Sequence, residues 1–359
     1  MKTTLKKTCT YLALISIPYL SIGQTVLNAD GPGNTYELIN SVFAPGYNAV
    51  EVPDIIHSDF GRHITEVFDS ELNKYVFEFF VHVTPDNDIS TTKTDRQRNE
   101  IKTYGSSPNH LKGTLGEIVQ YKWRFKIPVG FKPSSTFTHI HQVKAVDGDD
   151  SDPIFTLTPR KGTPNKLELI YVKDVNSGTD KKAIVNLSLF EGNWVEATET
   201  LTIGPNGTYS ISIKKISDNS VILSYSNNNI ATIRIDNSFI RPKWGIYRSI
   251  ATPADLRDES IRFSDFSIEE LEALGVDTFE NTLQNTHIFP NPVEHDLSFT
   301  ENILNQFDTY TIIDSNGKKV VSKKTESNKI DVSLLKTGNY FIQLIHKNKT
   351  IKTFQFLKK

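Results

Sequence analysis

Cysteine is almost absent from this chain of 359 residues. Cys9 is the sole cysteine, and it lies in an N-terminal segment that is typical of a secretory signal. The mature protein would therefore have no disulfide, no thiolate nucleophile and no cysteine metal ligand. Its stability must come from a hydrophobic core, for which the remaining length suffices.

Long hydrophobic runs are missing after residue 23. The first residues, "MKTTLKKTCTYLALISIPYLSIGQ", place lysines before an apolar run that ends in small residues, which predicts a signal peptide at residues 1–23. No later segment approaches the ~18 apolar residues of a membrane span. We therefore expect a secreted protein, extracellular or held at the cell surface, with no membrane span.

The sequence after residue 23 also has no overall excess of basic residues. Residues 24–286 hold 26 basic and 35 acidic residues, whereas residues 287–359 hold 11 lysines and 7 acidic residues. Nucleic-acid-binding proteins usually show the opposite balance, so we expect no nucleic-acid partner. A polyanion would have to meet a local cluster of cations.

Several catalytic and metal-binding motifs are missing too. The sequence has no His-Glu-x-x-His pair, no Gly-x-Ser-x-Gly elbow, no phosphate-binding glycine loop and no Glu-x-Asp-x-x-Glu glycosidase strand. We therefore expect no required cofactor and no catalytic metal, although six of the nine histidines precede residue 142. The string "DGDDSD" is typical of a solvated turn, but it could also offer oxygen ligands to a structural calcium ion. Its candidate ligands are Asp147, Asp149, Asp150 and Asp152.

Alternation of apolar and polar residues is what the sequence has in abundance. In "YKWRFKIP", Tyr121, Trp123 and Phe125 alternate with lysine and arginine, which predicts a half-buried strand. Many such runs, separated by turn signals, predict an all-β protein with a concanavalin-like jelly-roll sandwich in residues 24–276. We expect one short helix at residues 267–275, where Ser267 and Glu270 fit a capping box, and a linker at residues 277–286.

The last block, residues 287–359, has its own strand pattern. It contains a Pro290-Asn291-Pro292 entry, the hairpin string "IIDSNGKKV" and the strand string "LKTGNYFIQL". In these pieces it resembles the C-terminal sorting domain of the type IX secretion system. The resemblance implies a small β-sandwich, export by the type IX machinery, and removal or surface anchoring of this block. We therefore expect the chemistry in residues 24–286.

Three strings of the large domain combine the residue types that β-elimination on a uronic-acid polymer requires. They are "RNEIK" (residues 98–102), "QVK" (residues 142–144) and "KWGIYR" (residues 243–248). Loss of the C-5 proton places negative charge on the uronate carboxylate, which a cation and a neutral donor stabilise. We assign this role to Arg98 and Gln142. Lys144 is the candidate base and Tyr247 the candidate acid, although Tyr247 could serve as both.

A lysine acts as a base near neutral pH only if burial or neighbouring cations lower its pKa. Arg98, Lys102 and Arg248 are expected to provide that positive field.

The three strings resemble the signature strands of the jelly-roll alginate lyases, whose patterns are Arg-Thr-Glu-Leu-Arg, Gln-Ile-His and Lys-Ala-Gly-Val-Tyr. Two positions depart, since Lys144 replaces the catalytic histidine and Lys102 replaces an arginine. Lysine at the base position is similar to the ulvan lyases of polysaccharide lyase family 28. The positions that match the alginate lyase patterns are Arg98, Glu100, Gln142, Lys243, Gly245 and Tyr247.

That resemblance implies a jelly roll and endolytic cleavage between 3-sulfated rhamnose and glucuronate or iduronate, which leaves an unsaturated uronate end. The expected partner is thus an anionic uronic-acid polysaccharide. The expected substrate-binding residues are Arg98, Gln142, Glu100, Lys102, His141, Lys243 and Arg248.

Other functions stay open at this point. Alginate or glucuronan is the alternative substrate, and a glycosidase or a non-catalytic carbohydrate-binding sandwich is the alternative of another class. His139 and His141 alternate out of phase with Lys144, so on a regular strand they lie on the opposite face unless a bulge intervenes.

Overall fold

A computed structural model describes residues 24–89, 93–271, 286–300, 307–325, 327–346 and 349–359. The chain forms two compact units, which are residues 1–272 and 273–359. The predicted signal peptide lies outside the described residues, and so does the predicted linker apart from residue 286. Among the described residues, no helix has the length and apolar character needed to cross a membrane.

The first unit consists almost entirely of strands. Its one α-helix in the described ranges, α1, is Thr35–Phe43, and short 3-10 helices occur at Asn109–Leu111, Leu187–Leu189 and Pro253–Asp255. The strands are β1 (Thr25–Leu27), β2 (Val50–Glu51), β3 (Ile64–Asp69), β4 (Lys74–Val81), β5 (Arg96–Lys102), β6 (Ile118–Lys126), β7 (Thr138–Val146), β8 (Phe155–Arg160), β9 (Lys166–Tyr171), β10 (Asp180–Asn186), β11 (Trp194–Thr202), β12 (Gly207–Lys215), β13 (Val221–Ile230), β14 (Phe239–Ser249) and β15 (Glu259–Leu271).

These strands form two antiparallel sheets. The eight-stranded sheet has the order β13, β12, β11, β6, β15, β4 and β3, with β1 paired to β15, and the seven-stranded sheet has the order β10, β9, β8, β7, β14, β5 and β2. One hydrophobic core lies between them, where Trp123 of β6 contacts Trp244 of β14 with ring centroids 6.0 Å apart. The predicted jelly-roll sandwich is thereby confirmed.

Alternation in β6 shows why the sequence folds this way. Tyr121, Trp123 and Phe125 are at most 1% exposed, whereas the intervening Lys122 and Arg124 are only partly buried. Side chains of a strand point alternately to its two faces, so the aromatic positions enter the core.

The helix predicted at residues 267–275 is wrong in its described part. Residues up to Leu271 continue β15, and Ser267 to Leu271 pair with Lys122 to Ile118 of β6. On its other edge, Ser267 pairs with Val26 of β1. Two neighbouring strands therefore satisfy the backbone of this segment, and sheet pairing outweighs a local helical signal. Residues 272–275 lie outside the described residues.

The second unit forms two small sheets around a core of its own. Gly317, with a φ of +78°, lies in the predicted Asn-Gly turn, which joins two antiparallel strands as a hairpin. The strands are β16 (Ile288–Phe289), β17 (Asp296–Phe299), β18 (Thr309–Asp314), β19 (Lys319–Lys324), β20 (Lys329–Asp331), β21 (Gly338–His346) and β22 (Lys349–Lys358), and the turn lies between β18 and β19.

Candidate functional site

The three strings singled out in the sequence lie on three adjacent strands, β5, β14 and β7. Their outward side chains form what we call the polar face of the seven-stranded sheet, and register sorts them into three rows. The Tyr247 row is Arg98, Tyr247 and His139; the Lys243 row is Lys102, Lys243 and Gln142; the Lys144 row is Arg241 and Lys144.

Glu100 lies at the centre of the polar face, and its residue is fully buried. Its Oε2 accepts hydrogen bonds from Arg98 Nη1 at 2.7 Å and from Lys243 Nζ at 2.8 Å. Its Oε1 accepts a hydrogen bond from the side-chain amide of Gln142. Burial alone would raise the pKa of Glu100, but Lys243 and Arg98 outweigh it, so the pKa lies below its usual value. The structure thus brings together Arg98, Glu100, Gln142 and Lys243.

Glu51 of β2 is a member of this network that the sequence analysis missed. Its Oε1 accepts a hydrogen bond from Lys102 Nζ at 2.6 Å, and its Oε2 forms ion pairs with Lys243 Nζ at 2.5 Å and with Arg98 at 3.5 Å. The three cations outweigh burial and lower its pKa. No motif marks this residue, because it belongs to a two-residue strand that reaches the site only through its pairing with β5.

Tyr247 is held between two arginines. The guanidinium of Arg98 lies 3.7 Å from the centre of its ring, and Arg96 Nη1 donates to its hydroxyl oxygen at 3.0 Å. Arg98 Nε in turn donates a hydrogen bond to Asp88 Oδ1 at 2.7 Å, which fixes the guanidinium. Its Nη2 has no hydrogen-bond partner among the residues that the structure describes. Arg98 can therefore still bind an anion placed beside Tyr247.

His139 joins Tyr247 because β7 departs from regular alternation. Trp244 and Tyr247 are three residues apart on β14, whereas their partners His141 and His139 are two apart on β7. As a result Ile140 and His141 both face the core, and His139 returns to the polar face. Its ring centroid is 6.0 Å from that of Tyr247.

The protonation of His139 suits a proton acceptor. Burial lowers its pKa to about 4, with Arg160 and Arg98 acting in the same direction, so the ring is neutral at neutral pH. Its Nδ1 lies 2.8 Å from the hydroxyl of Thr158, which can accept the ring N–H and leave a lone pair on Nε2. The sequence analysis assigned no role to His139, because register with β14 could not be read from spacing.

Lys144 lies at the other end of the polar face. Its pairing partner is Arg241, which is six residues from Tyr247 on β14, or about 20 Å at the rise of an extended strand. The structure therefore does not bring the predicted base and the predicted acid together over one sugar. Burial nevertheless lowers the pKa of Lys144 to about 8, with nearby cations adding to the effect. Those cations are Lys243, Arg234 and Arg241, rather than the expected Arg98, Lys102 and Arg248.

His141 and Arg248 do not reach the polar face, which corrects their assignment to substrate binding. His141 is 1% exposed, and its Nε2 bonds Glu199 of the opposite sheet at 2.7 Å. Arg248 is fully buried, and its Nε donates to Gln97 at 2.7 Å. Both are on the core side of their strands, where they hold buried polar partners.

The acidic turn after β7 is organised by an arginine. Arg234 is 7% exposed and donates to the backbone carbonyls of Asp149 and Asp152 at 3.1 and 2.7 Å. The carboxylate of Asp149 accepts the backbone N–H of Val175 at 2.8 Å, and that of Asp147 accepts from Ser238. A guanidinium thus already provides positive charge at these predicted calcium ligands.

Comparison with known proteins gives several similar folds. A search of curated proteins finds no match. An endo-β-1,4-glucuronan lyase from the fungus Trichoderma reesei is 16% identical, with 58% of this chain and 87% of that chain covered and a TM-score of 0.41. A marine alginate lyase from Aplysia kurodai is 14% identical, with 68% and 98% covered and a TM-score of 0.47. An alginate lyase from Pseudomonas aeruginosa is 11% identical, with 62% and 97% covered and a TM-score of 0.42. Similarity at this level carries no statement about activity.

The second unit matches a family over nearly its whole predicted length. Residues 287–358 match the secretion system C-terminal sorting domain, in agreement with the resemblance seen in the sequence. This match indicates that the protein is exported.

Proposed function

We propose that residues 24–271 form a polysaccharide lyase that cleaves a uronic-acid polymer by β-elimination at the Tyr247 row. The observation that carries the proposal is the row itself. A neutral imidazole and a phenol lie side by side, and the guanidinium stacked on the phenol has an Nη2 without a partner among the described residues. These groups can take one proton, give another and neutralise a carboxylate within the reach of one sugar.

The proposed reaction uses each group once. His139 Nε2 removes the C-5 proton, and the electron pair of that C–H bond forms the double bond between C-4 and C-5. The bond between C-4 and the leaving oxygen breaks, and the Tyr247 hydroxyl protonates that oxygen. Arg96 stabilises the phenolate that remains, because it donates to the same oxygen. The chemistry uses side chains alone and needs no cofactor.

Arg98 would bind the uronate carboxylate through Nη2. Charge that develops on the carboxylate is then met by a guanidinium already fixed by Asp88 and Glu100. Gln142 was expected to share this role, but it donates to Glu100 and is 2% exposed. We propose that Gln142 and Lys243 act instead through Glu100, by holding Arg98 in place.

Lys144 is the alternative candidate base for the same reaction. Its lowered pKa fits a base, and Arg241 beside it could bind the carboxylate. If Lys144 is the base, the reacting sugar lies at the Lys144 row, and Tyr247 binds the polymer several sugars away. Substitutions of His139 and of Lys144 distinguish the two alternatives.

We propose ulvan as the substrate. The support is the resemblance of "DRQRNEIK", "HIHQVK" and "KWGIYR" to ulvan lyases, with alginate and glucuronan as the alternatives. Export through the type IX system, after removal of a signal peptide, would bring the enzyme to an extracellular polymer. Retention at the cell surface or release would then depend on whether residues 287–359 are removed.

The test is to assay the purified protein on ulvan, alginate and glucuronan by the ultraviolet absorbance of the unsaturated uronate. We expect Tyr247→Phe and His139→Ala each to reduce kcat by at least about 100-fold, the usual contribution of a general acid or base. Tyr75→Phe is the matched control, because Tyr75 lies on the other sheet and is 37% exposed. It should retain full activity.

The outcomes are distinct. If Lys144→Ala abolishes activity while His139→Ala retains it, the base is at the Lys144 row. New reducing ends without the ultraviolet signal would indicate a glycosidase, and saturable binding without cleavage would indicate a carbohydrate-binding module. Either of the last two results overturns the lyase.

A further inference from the structure

A second group of ionisable side chains lies outside the polar face, in the loops that flank β3 and β4. His57 and His63 precede β3, and His82 and Asp86 follow β4. One ligand atom from each of the four lies within 4.8 Å of all the others. The elimination mechanism uses none of them.

We propose that His57, His63, His82 and Asp86 bind one divalent transition-metal ion, with Zn²⁺ as the best fit. Zinc in proteins prefers four ligands in a tetrahedron, drawn from imidazole nitrogen, carboxylate oxygen and thiolate. This chain supplies three imidazoles and one carboxylate at one point, which completes a closed, structural type of site.

The distances between donor atoms support this assignment. At bond lengths of about 2.0–2.1 Å, tetrahedral ligands of zinc lie roughly 3.3 Å from one another. His63 Nε2 lies 3.3 Å from His57 Nδ1 and 3.2 Å from Asp86 Oδ1. His82 Nδ1 lies 3.2 Å from Asp86 Oδ2, and His57 Nδ1 lies 2.7 Å from Asp86 Oδ1. A small ion could thus be held by all four with slight adjustment.

A neighbouring carboxylate orients the central histidine. His63 Nδ1 lies 2.7 Å from Asp54 Oδ1, so an N–H at Nδ1 can be donated there, and Nε2 faces the other three side chains. Histidine ligands of zinc commonly donate their other ring nitrogen to a carboxylate in this way. Asp86 is oriented as well, because its Oδ2 accepts the backbone N–H of His82 at 2.7 Å.

Without an ion, a proton must lie between two of these groups. His63 Nε2 lies 3.2 Å from Asp86 Oδ1, and both groups are buried, at 0% and 2% exposure, so an unprotonated Nε2 would place a lone pair against the carboxylate. A metal ion would replace that proton and bind all four donors at once. Entry is open, because the side chains of His57 and His82 are 19% and 15% exposed.

The ion would connect the metal site to the polar face. Gln97 of β5 donates through its side-chain amide to the backbone carbonyl of Asp86 at 3.3 Å. Two residues further on, Asp88 bonds Arg98 Nε at 2.7 Å. An ion on Asp86 therefore fixes the loop that positions Arg98. Its role is structural, since the protein fills all four ligand positions.

The experiment is to measure zinc in the full chain by elemental analysis after dialysis against buffer with micromolar Zn²⁺ and then against buffer alone. We expect about one zinc per chain, and none in His57→Ala or His82→Ala. His110→Ala is the matched control, because His110 is exposed and bonds only Thr25 among the described residues. It should keep the ion.

Two further measurements cover variants that fail to fold. A chelator should lower the melting temperature of the unmodified protein, and added Zn²⁺ should restore it, because an ion that binds only the folded state stabilises it. Co²⁺ in place of Zn²⁺ should give the visible absorption of a tetrahedral site. Zinc below a tenth of an equivalent, with no chelator effect on melting, would overturn the site. Since these readouts do not depend on cleavage, they leave the lyase proposal to its own test.

Discussion

At the scale of single residues, Glu100 organises the candidate site. It is a fully buried carboxylate with hydrogen bonds from Arg98, Lys243 and Gln142. Removing one member of a buried charge network leaves its partners uncompensated in a medium of low dielectric constant. Its charge therefore matters for stability as well as for the position of Arg98.

We expect Glu100→Gln to lower the free energy of unfolding by about 3 kcal/mol, because Arg98 and Lys243 lose a buried counter-ion. Urea denaturation measures the change. Glu71→Gln is the control, since its side chain is 50% exposed and its bond to Lys126 is a surface ion pair, for which a loss of less than ~1 kcal/mol is expected. Equal losses in the two variants would contradict the central role of Glu100.

The pH dependence of kcat/KM distinguishes the two candidate bases. His139 is neutral above its lowered pKa of about 4. If it is the base, kcat/KM should fall on the acidic side only near pH 4. If Lys144 is the base, its pKa of about 8 would make kcat/KM fall below about pH 8. Because kcat/KM reports groups of the free enzyme, its pH profile on the best substrate distinguishes the two bases. We expect the fall near pH 4.

The lowered pKa of His139 also makes the stability of the fold depend on pH. In the unfolded chain, His139 takes up its proton near its ordinary pKa of 6.5, while the folded state resists protonation down to about 4. The unfolded state therefore binds more protons in this window, and the contribution of His139 to stability is lost as the pH falls from about 6.5 to about 4.

At the scale of elements, the pairing of β5 with β14 depends on Gly245. Its φ is +142°, and a Cβ at this position would lie 2.7 Å from Glu100 Cα. Only glycine lets the two backbones approach so closely, and this approach sets Tyr247 against Arg98.

Gly245→Ala should therefore push β14 away from β5. We expect a loss of about 1–3 kcal/mol in unfolding free energy, from backbone strain and overpacking, and a fall in kcat from displacement of Tyr247. Thermal melting and the lyase assay measure both. Gly178→Ala, where no atom of the described residues lies within 4 Å of the added Cβ, should change neither. A stable, fully active Gly245→Ala variant would show that the close approach is unimportant.

Prediction from the sequence succeeded where one strand could be read by itself. Alternation in β6 gave its buried face, and the Asn-Gly pair gave the hairpin of β18 and β19. It failed where a neighbouring strand decides the outcome. Pairing with β1 and β6 turned an apparent helix start at Ser267 into strand.

In the candidate site, too, prediction succeeded within single strands and failed where strand pairing decides which residues are neighbours. Strand alternation correctly grouped Arg98 with Glu100 and Gln142 with Lys144, because each pair lies on one strand. The register of β7 against β14 places Lys144 opposite Arg241, far from Tyr247, and the irregularity further along brings His139 beside Tyr247 instead. Glu51 could not be found, because its place in the network depends on a short strand far away in sequence.

At the scale of the whole molecule, the two units have separate hydrophobic cores. That of the first unit lies between the two large sheets, and that of the second is built from its own strands. The residues proposed for catalysis and for zinc all belong to the first unit.

We therefore expect a protein that ends at residue 286 to keep the kcat/KM of the full chain. Its melting midpoint by calorimetry should equal that of the corresponding transition in the full chain, because no core residue of the first unit is removed. A lower midpoint or a loss of activity would show that the first unit depends on residues 287–359.

The irregularity of β7 also limits how this chain can change over evolution. His139 and Lys144 are five positions apart, an odd spacing that a regular strand would send to opposite faces. Both reach the polar face only because the irregularity lies between them. Deleting one residue would leave an even spacing, which a regular strand sends to one face without any irregularity. We expect homologous chains that keep this length to keep an apolar residue at Ile140, and any chain that is one residue shorter here to have a regular strand.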